Sequence, residues 1–252
     1  MKVLITGAAG FIGSRLVTAL EPEHTLVLGD VQHDATDPRR VLLDITKPET
    51  LHAAVKGVDA IIHLAIASGH EGDHEDDTFN QLRFDVNVKG TWNLLEAARR
   101  AGVTRFVFTS SLTVVWGYEP PEWVESDAEP RPVGTYAQTK LLGEVLCEQA
   151  AAASDLSIVC LRIPKPVPLD DPGFKQRTLR PQWIAFPDLA NAFGLALTAA
   201  DIDFEIVTVV GESSKRRWDL SKAERVLGYR PIHRLEDMGY NIGDENEPLV
   251  IG

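Results

Sequence analysis

The sequence predicts an α/β protein, a doubly wound parallel sheet with a small C-terminal lobe. Three observations carry that prediction. Short apolar runs alternate with longer helical stretches from the first residue onward. The runs lack polar alternation, as strands covered on both faces require. The first run passes through a glycine-rich turn straight into a helix.

The elements follow in order. Lys2–Thr6, Thr25–Gly29, Val41–Leu43, Ala60–Leu64, Arg105–Thr109 and Ser157–Leu161 read as strands. Phe11–Leu20, Pro48–Val55, Phe79–Arg100 and Tyr136–Ala152 read as helices, with Gly102 supplying the stop after the third. Residues 1–163 thus form one nucleotide-binding sheet unit. Prolines at 164, 166, 168 and 172 break regular structure and open a lobe over 164–183. Residues 184–210, with a helix at Phe186–Thr198 and a strand at Glu205–Val210, return to the sheet, and 211–252 rejoin the lobe. Ser221 and Glu224 have capping-box spacing, and Gly228 and Pro231 end that helix.

A chain of 252 residues is one large domain with room for a modest lobe. Hydrophobic residues at 44% and charged residues at 25% exclude global disorder. A net charge of −12 disfavours nucleic acid and anionic lipid as partners. No apolar run reaches the roughly 18 residues of a membrane span, and the apolar stretch in MKVLITG is too short for a secretory signal, so a cytoplasmic location is expected. Cys147 and Cys160 fall in a helix and a strand, where buried thiols are expected and no disulfide framework is implied.

The turn Thr6-Gly7-Ala8-Ala9-Gly10-Phe11-Ile12-Gly13 carries the first functional signal. Glycines let the chain turn tightly and bring backbone N–H groups close to a pyrophosphate at a helix N-terminus. Asp30 ends the next strand, where a carboxylate accepts hydrogen bonds from both ribose hydroxyls and repels a 2′-phosphate, so NAD is favoured over NADP. Arg39 and Arg40 lie beyond a polar loop and read as a solvated pair.

The second signal is Tyr136 and Lys140, four residues apart and on one helix face. A neighbouring ammonium and an oxidised nicotinamide both favour the phenolate, which can then take a proton from a substrate hydroxyl. The strand Arg105–Thr109 leads into Ser110 and Ser111 at its carboxyl end, the side that borders the ligand crevice in such sheets. His70-Glu71-Gly72-Asp73-His74 matches a zinc-protease pattern, but the glycines and acidic surroundings make it a loop beside the site mouth rather than a metal-binding helix.

Together these motifs resemble the extended short-chain dehydrogenase/reductases, the NAD-dependent epimerase/dehydratase family, with a Rossmann sheet. The resemblance covers nearly the whole chain: TGAAGFIG at 6–13, Asp30, Asp44-Ile45, His63-Leu64-Ala65, Asn87-Val88-Lys89-Gly90-Thr91, FTSS at 108–111, YAQTK at 136–140 and RRWDLSKAERVLGYRP at 216–231. It implies that Gly7, Gly10, Phe11, Ile12, Gly13, Asp30, Asp44, Ile45, Leu64, Ala65, Asn87 and Ile163 bind cofactor with Tyr136 and Lys140. It further implies that Tyr136 is the acid/base, that Lys140 binds the nicotinamide ribose and lowers the Tyr136 pKa, and that Ser111 completes the triad. The run after the serines, Leu112 to Gly117, is one residue longer than the family's usual spacing, which leaves Ser110 and Thr113 as alternatives to Ser111.

The short lobe and the C-terminal motif are most similar to uronate dehydrogenases and related small-sugar oxidoreductases. Arg177 and Arg180, with Lys175 nearby, are the cations available to a substrate carboxylate. The resemblance implies hydride transfer between NAD and a sugar or sugar-acid hydroxyl in a homodimer. The alternatives are an epimerase or dehydratase with tightly bound NAD, and a non-catalytic dinucleotide-binding protein.

Overall fold

A computed structural model describes residues 1–32, 34, 36–71 and 73–244. The chain runs β1 (Lys2–Thr6), α1 (Phe11–Leu20), β2 (Thr25–Asp30), β3 (Arg40–Leu42), α2 (Pro48–Val55), β4 (Ala60–His63), α3 (Asp77–Arg83), a π-helical turn (Phe84–Gly90) and α4 (Thr91–Ala101). It continues through β5 (Arg105–Ser111), a 3-10 turn (Leu112–Val115), α5 (Gly134–Ala152) and β6 (Ser157–Ile163). The remainder comprises β7 (Pro166–Val167), α6 (Pro172–Lys175), β8 (Thr178–Leu179), β9 (Ile184–Ala185), α7 (Phe186–Thr198), β10 (Phe204–Thr208), α8 (Ser221–Leu227) and β11 (Asn241–Ile242).

Seven parallel strands form the central sheet in the order β10-β6-β5-β4-β1-β2-β3. The order reverses between β1 and β4, and the carboxyl ends of that pair border the crevice where such sheets take ligands. Strand alternation sends side chains into a core on each face. Val3, Ile5 and Val107 join Leu16, Leu189 and Phe193 on the α1–α7 side, while Leu4, Phe106 and Phe108 join Leu51, Leu94 and the free thiols Cys147 and Cys160 on the α2–α4–α5 side. Among the described residues, no helix is long and apolar enough to cross a membrane.

A third cluster, Val167, Phe174, Leu179, Leu235 and Tyr240, holds the lobe together with the two short ladders β8–β11 and β7–β9. The stretch 211–252, expected to lie in the lobe, divides. Trp218, Leu220, Ala223, Leu227 and Tyr229 belong to the core on the α7 side of the sheet, whereas Leu235 and Tyr240 go to the lobe. Residues 245–252 lie outside the described residues.

Two local expectations change. Ser221 is not the α8 cap but its first residue: Leu220 holds the cap position, and the Asp219 carboxylate accepts from Ser221 N–H at 2.9 Å and from its hydroxyl at 2.6 Å. A carboxylate two residues upstream is the stronger acceptor and takes the role. The single helix expected over Phe79–Arg100 is instead α3, one widened turn and α4. Gly102 ends it in a left-handed conformation with φ 73°.

Candidate active site

The glycine turn lies directly on the switch point. Gly7 adopts φ +71°, and a Cβ there would sit 2.9 Å from Ala65 N, so the turn lies flush against the exit of β4. A Cβ on Gly13 would come within 2.2 Å of Gly7 O. Gly10 precedes α1 and brings no capping side chain. The N–H groups opening α1, around Phe11 and Ile12, are therefore of the kind an anionic oxygen satisfies.

Asp30 stands beside this turn, accepting from Ala9 N–H and Gln32 N–H at 2.9 Å each. A carboxylate has about four acceptor positions, so capacity remains for ribose hydroxyls. Arg39 is engaged by Asp37 at 2.8 Å and Glu21 at 3.0 Å, which occupies the cation closest in sequence to a 2′-phosphate role. Next along the rim, burial pushes the Asp44 carboxyl up, but hydrogen bonds from Thr46 and Lys47 outweigh it and hold it below the usual range. Ile45 is buried and fixed by Asn93 Nδ2 donating to its carbonyl at 2.9 Å. Leu64 and Ala65 leave β4 against Gly7, and Leu64 N–H donates to Thr6 O at 3.1 Å.

Asn87 lies in the π-helical turn, and its amide serves the protein itself. Its Oδ1 accepts from Ala67 N–H at 2.8 Å, and its Nδ2 donates to Thr139 Oγ1 at 3.0 Å. It thereby ties the β4 exit to α5. Beneath them, His63 bonds Thr6 at 2.7 Å and Thr91 at 3.0 Å, and burial drives its pKa down to about 3, so it is a neutral structural imidazole.

At the end of β5, alternation separates the two serines. Ser110 Oγ donates to Glu144 Oε1 at 2.5 Å, and Glu144 in turn holds Arg162 through two hydrogen bonds of 2.8 Å, all of it buried. Ser111 faces the other way. Its Oγ accepts from Thr113 N–H at 3.2 Å and Thr113 Oγ1 at 2.9 Å, and its influence on the Tyr136 phenol is to lower the pKa. Ile163 pairs with Ser111 on the adjacent strand and is buried.

Burial pushes the Tyr136 phenol up to about 12, opposed by the Ser111 hydrogen bond and the Arg83 charge. Burial pulls Lys140 down to about 8. Its Nζ donates to Thr109 O at 2.7 Å and lies 5.8 Å from the Tyr136 ring centroid. The resting phenol is therefore protonated at neutral pH and can act as an acid as it stands, whereas acting as a base needs additional positive charge beside it.

The 3-10 turn after Ser111 carries Trp116 onto Trp218, with ring centroids 6.1 Å apart. A cavity of about 260 Å³ opens there, lined by Trp116, Tyr118, Val133 and Arg217 among others. Arg180 packs on the Trp116 ring, its Cζ 5.5 Å from the centroid. Arg177 instead packs over Phe174 at 5.5 Å and Lys175 over Tyr240 at 5.4 Å, both in the lobe. A cavity of about 270 Å³ lies on the opposite side, over the Glu144–Arg162 pair.

The described part of the HEGDH run is loop: His70 pairs with Asp76 at 2.6 Å and stacks on Phe79 at 4.4 Å, and Gly72 lies outside the described residues. Two residues beyond the sequence expectations stand at the site, Glu75 and Arg83. The available signal was an arginine on the inward face of a helix following an acidic run.

The profile of the NAD dependent epimerase/dehydratase family matches residues 3–185. The chain is 30% identical to a uronate dehydrogenase of Pseudomonas syringae pv. tomato over 91% of its own length and 81% of that protein's. It is 29% identical to an L-arabinose 1-dehydrogenase (NAD(P)(+)) of Haloferax volcanii over 91% and 96% of the two chains. Among solved structures, a variant of uronate dehydrogenase from Agrobacterium tumefaciens complexed with NAD superposes with a TM-score of 0.79 at 25% identity, covering 94% of this chain and 86% of that one.

Proposed function

We propose a function from one premise, that this chain belongs to the NAD-dependent epimerase/dehydratase family. It is an NAD-dependent oxidoreductase acting on a hydroxyl of a sugar or sugar acid. The observation that carries this reading is that Tyr136 and Lys140 share the start of α5, with Lys140 tied to Thr109 O on the strand that ends in Ser111, in a fold whose glycine cradle leaves no room for side chains. The residues fit the cofactor: the space a Cβ would fill at Gly7 and Gly13 is taken by backbone, and the Asp30 carboxylate has capacity for ribose hydroxyls.

When bound, NAD accepts hydride from the substrate carbon and brings positive charge beside Tyr136. In this proposal, Ser111 and Tyr136 hold the substrate hydroxyl, and Tyr136 takes its proton at the phenolic oxygen. Lys140, anchored on Thr109 O, contributes a positive charge that favours the phenolate. Gly7, Gly10, Phe11, Ile12 and Gly13 receive the pyrophosphate, Asp30 the adenosine ribose, and Asp44, Ile45, Leu64, Ala65 and Ile163 line the rest of the path. Arg180, packed on the Trp116 ring, is the cation proposed for a substrate carboxylate, with Arg177, packed on Phe174, as the second.

The same reading places the protein in the cytoplasm as a homodimer. Leu82, Trp92, Leu142 and Val145 are large apolar side chains exposed on α3, α4 and α5, a surface that a second copy would cover.

The test follows nicotinamide absorbance with NAD in excess across free aldoses, uronic acids and hydroxy acids. We expect net NADH formation with one of these classes, and a loss of at least about 100-fold in Tyr136→Phe with NAD binding retained. NAD binding with no turnover of any of them would overturn the dehydrogenase reading. Interconversion of sugars without net NADH would point to the epimerase alternative.

A further inference from the structure

Helix α5 carries Tyr136 and Lys140 in its first two turns, yet no residue of its own caps it. Val133 holds the cap position without a side-chain acceptor, and Gly134 begins the helix at φ +82°. The missing acceptor comes from far along the chain. Glu75 Oε1 and Oε2 lie 3.2 and 3.3 Å from Thr135 N–H, one residue before Tyr136. A Cβ at Gly134 would lie 3.1 Å from Glu75 Oε1, so the carboxylate rests against the helix start.

Glu75 is itself held. Arg83 Nη1 donates to Glu75 Oε1 at 3.3 Å and to Asn80 Oδ1 at 3.0 Å, and Asn80 Nδ2 donates to Glu75 O at 2.9 Å. The Arg83 side chain is only 4% exposed, against 44% for Glu75. Its guanidinium lies 4.5 Å from the Phe79 ring centroid, and that ring also stacks on His70, locked to Asp76, with His74 edge-on at 5.9 Å. Asp76 caps α3 by accepting from Thr78 and Phe79 N–H at 2.9 and 3.0 Å. The acidic run that reads as a loop beside the site mouth is thus knitted into a brace.

We propose that Glu75 and Arg83 are positioning residues for Tyr136: the pair fixes the first turn of α5 and sets the charge balance around the phenol. The proposal rests on the reading of Tyr136 as the acid/base. A serine at position 133 would cap the helix without desolvating a guanidinium, a desolvation that costs stability. What the observed arrangement adds is a buried positive charge paired with the half-exposed carboxylate that caps the first turn of α5. The groups involved are Lys140 on α5, Arg83 on α3, Glu75 before α3, and the Ser111 hydroxyl at the end of β5. Arg83 pulls the phenol downward; burial pushes the Glu75 carboxyl up, but hydrogen bonding to Thr135 and the Arg83 charge outweigh it and hold it below its usual range.

The two charges act on Tyr136 with opposite sign, which gives the test. The protein has four tyrosines, so tyrosine labelled at Cζ gives four carbon resonances, and Tyr136→Phe assigns the one of interest. Glu75→Gln removes the compensating negative charge and is expected to lower the Tyr136 titration midpoint. Arg83→Met is expected to raise it, each by about threefold or more in ionisation constant. Arg83→Lys, which keeps the charge, should titrate close to the parent protein, and the double variant Glu75→Gln/Arg83→Met controls for folding. The kcat–pH profile should shift in the same order while the KM for NAD stays unchanged.

Equal titration in all variants, or shifts of Glu75→Gln and Arg83→Met in one direction, would overturn the proposal. If the titrations move as stated but no sugar is oxidised, the clamp stands and the dehydrogenase reading falls.

Discussion

Gly13→Ala separates cofactor binding from stability. The added Cβ would lie 2.2 Å from Gly7 O, 2.8 Å from Ala8 Cα and 3.0 Å from Ala8 C, all backbone atoms that cannot rotate away. Carbon contacts are comfortable at about 3.5–4.0 Å, so the turn or the start of α1 must shift by roughly 1 Å. Overpacking costs about 1–3 kcal/mol, and the helix propensity of alanine returns about 1, leaving a net loss of about 0–2 kcal/mol. At about 2–4 °C per kcal/mol for a domain of this size, the melting temperature falls by at most about 8 °C. A displacement of 1 Å in a positioning group can cost about 100-fold, and that loss is expected in NAD affinity.

Two comparisons sharpen the assay, which pairs thermal unfolding with NAD titration by calorimetry. At Gly10 the added Cβ meets only Gly7 O at 3.2 Å, so Gly10→Ala should cost NAD affinity less than about tenfold. At Gly143 it meets the Phe108 ring 2.3 Å away in the core, so Gly143→Ala should lower the melting temperature and leave NAD affinity intact. Parent-like NAD affinity in Gly13→Ala, or a larger loss in Gly10→Ala, would refute the argument.

Two further outcomes are expected. Glu144→Ala leaves Arg162 buried without its two 2.8 Å hydrogen bonds and should cost about 3–5 kcal/mol in chemical denaturation, against about 1 kcal/mol for Ser110→Ala; similar costs for the two would count against the buried pair. His63 is held near a pKa of about 3 against an ordinary value of 6.5, so between these pH values the unfolded chain binds a proton that the folded chain does not. Its contribution is complete above about 6.5 and is lost as pH falls toward 3. His63→Gln should flatten the stability–pH curve in that window, and an unchanged slope would refute the assignment.

The parts legible in sequence were those governed by one-dimensional patterns. Continuous apolar runs located β1, β4, β5, β6 and β10 because strands buried on both faces cannot hide their composition. The glycine turn was legible because its spacing is set by backbone geometry rather than by neighbours. The division of labour between Ser110 and Ser111 was present in the strand's alternation, but only the positions of Glu144 and Arg162 decide which face is which. The roles of Glu75 and Arg83 were hidden because a carboxylate capping a helix 60 residues away leaves no local trace. Asp219 displaced Ser221 at the start of α8 through a competition between two acceptors that spacing alone does not rank.

The widened turn at Phe84–Gly90 makes chain length here a constraint in its own right. Such a turn holds one more residue than the ordinary coil, and each residue advances an α-helix by about 100°. Excising a single residue to regularise it would swing either the Asn87 amide off Ala67 and Thr139, or Leu94 and Leu95 out of the packed interior. Substitutions on the outer surface of this segment should therefore be far better tolerated than any deletion within it.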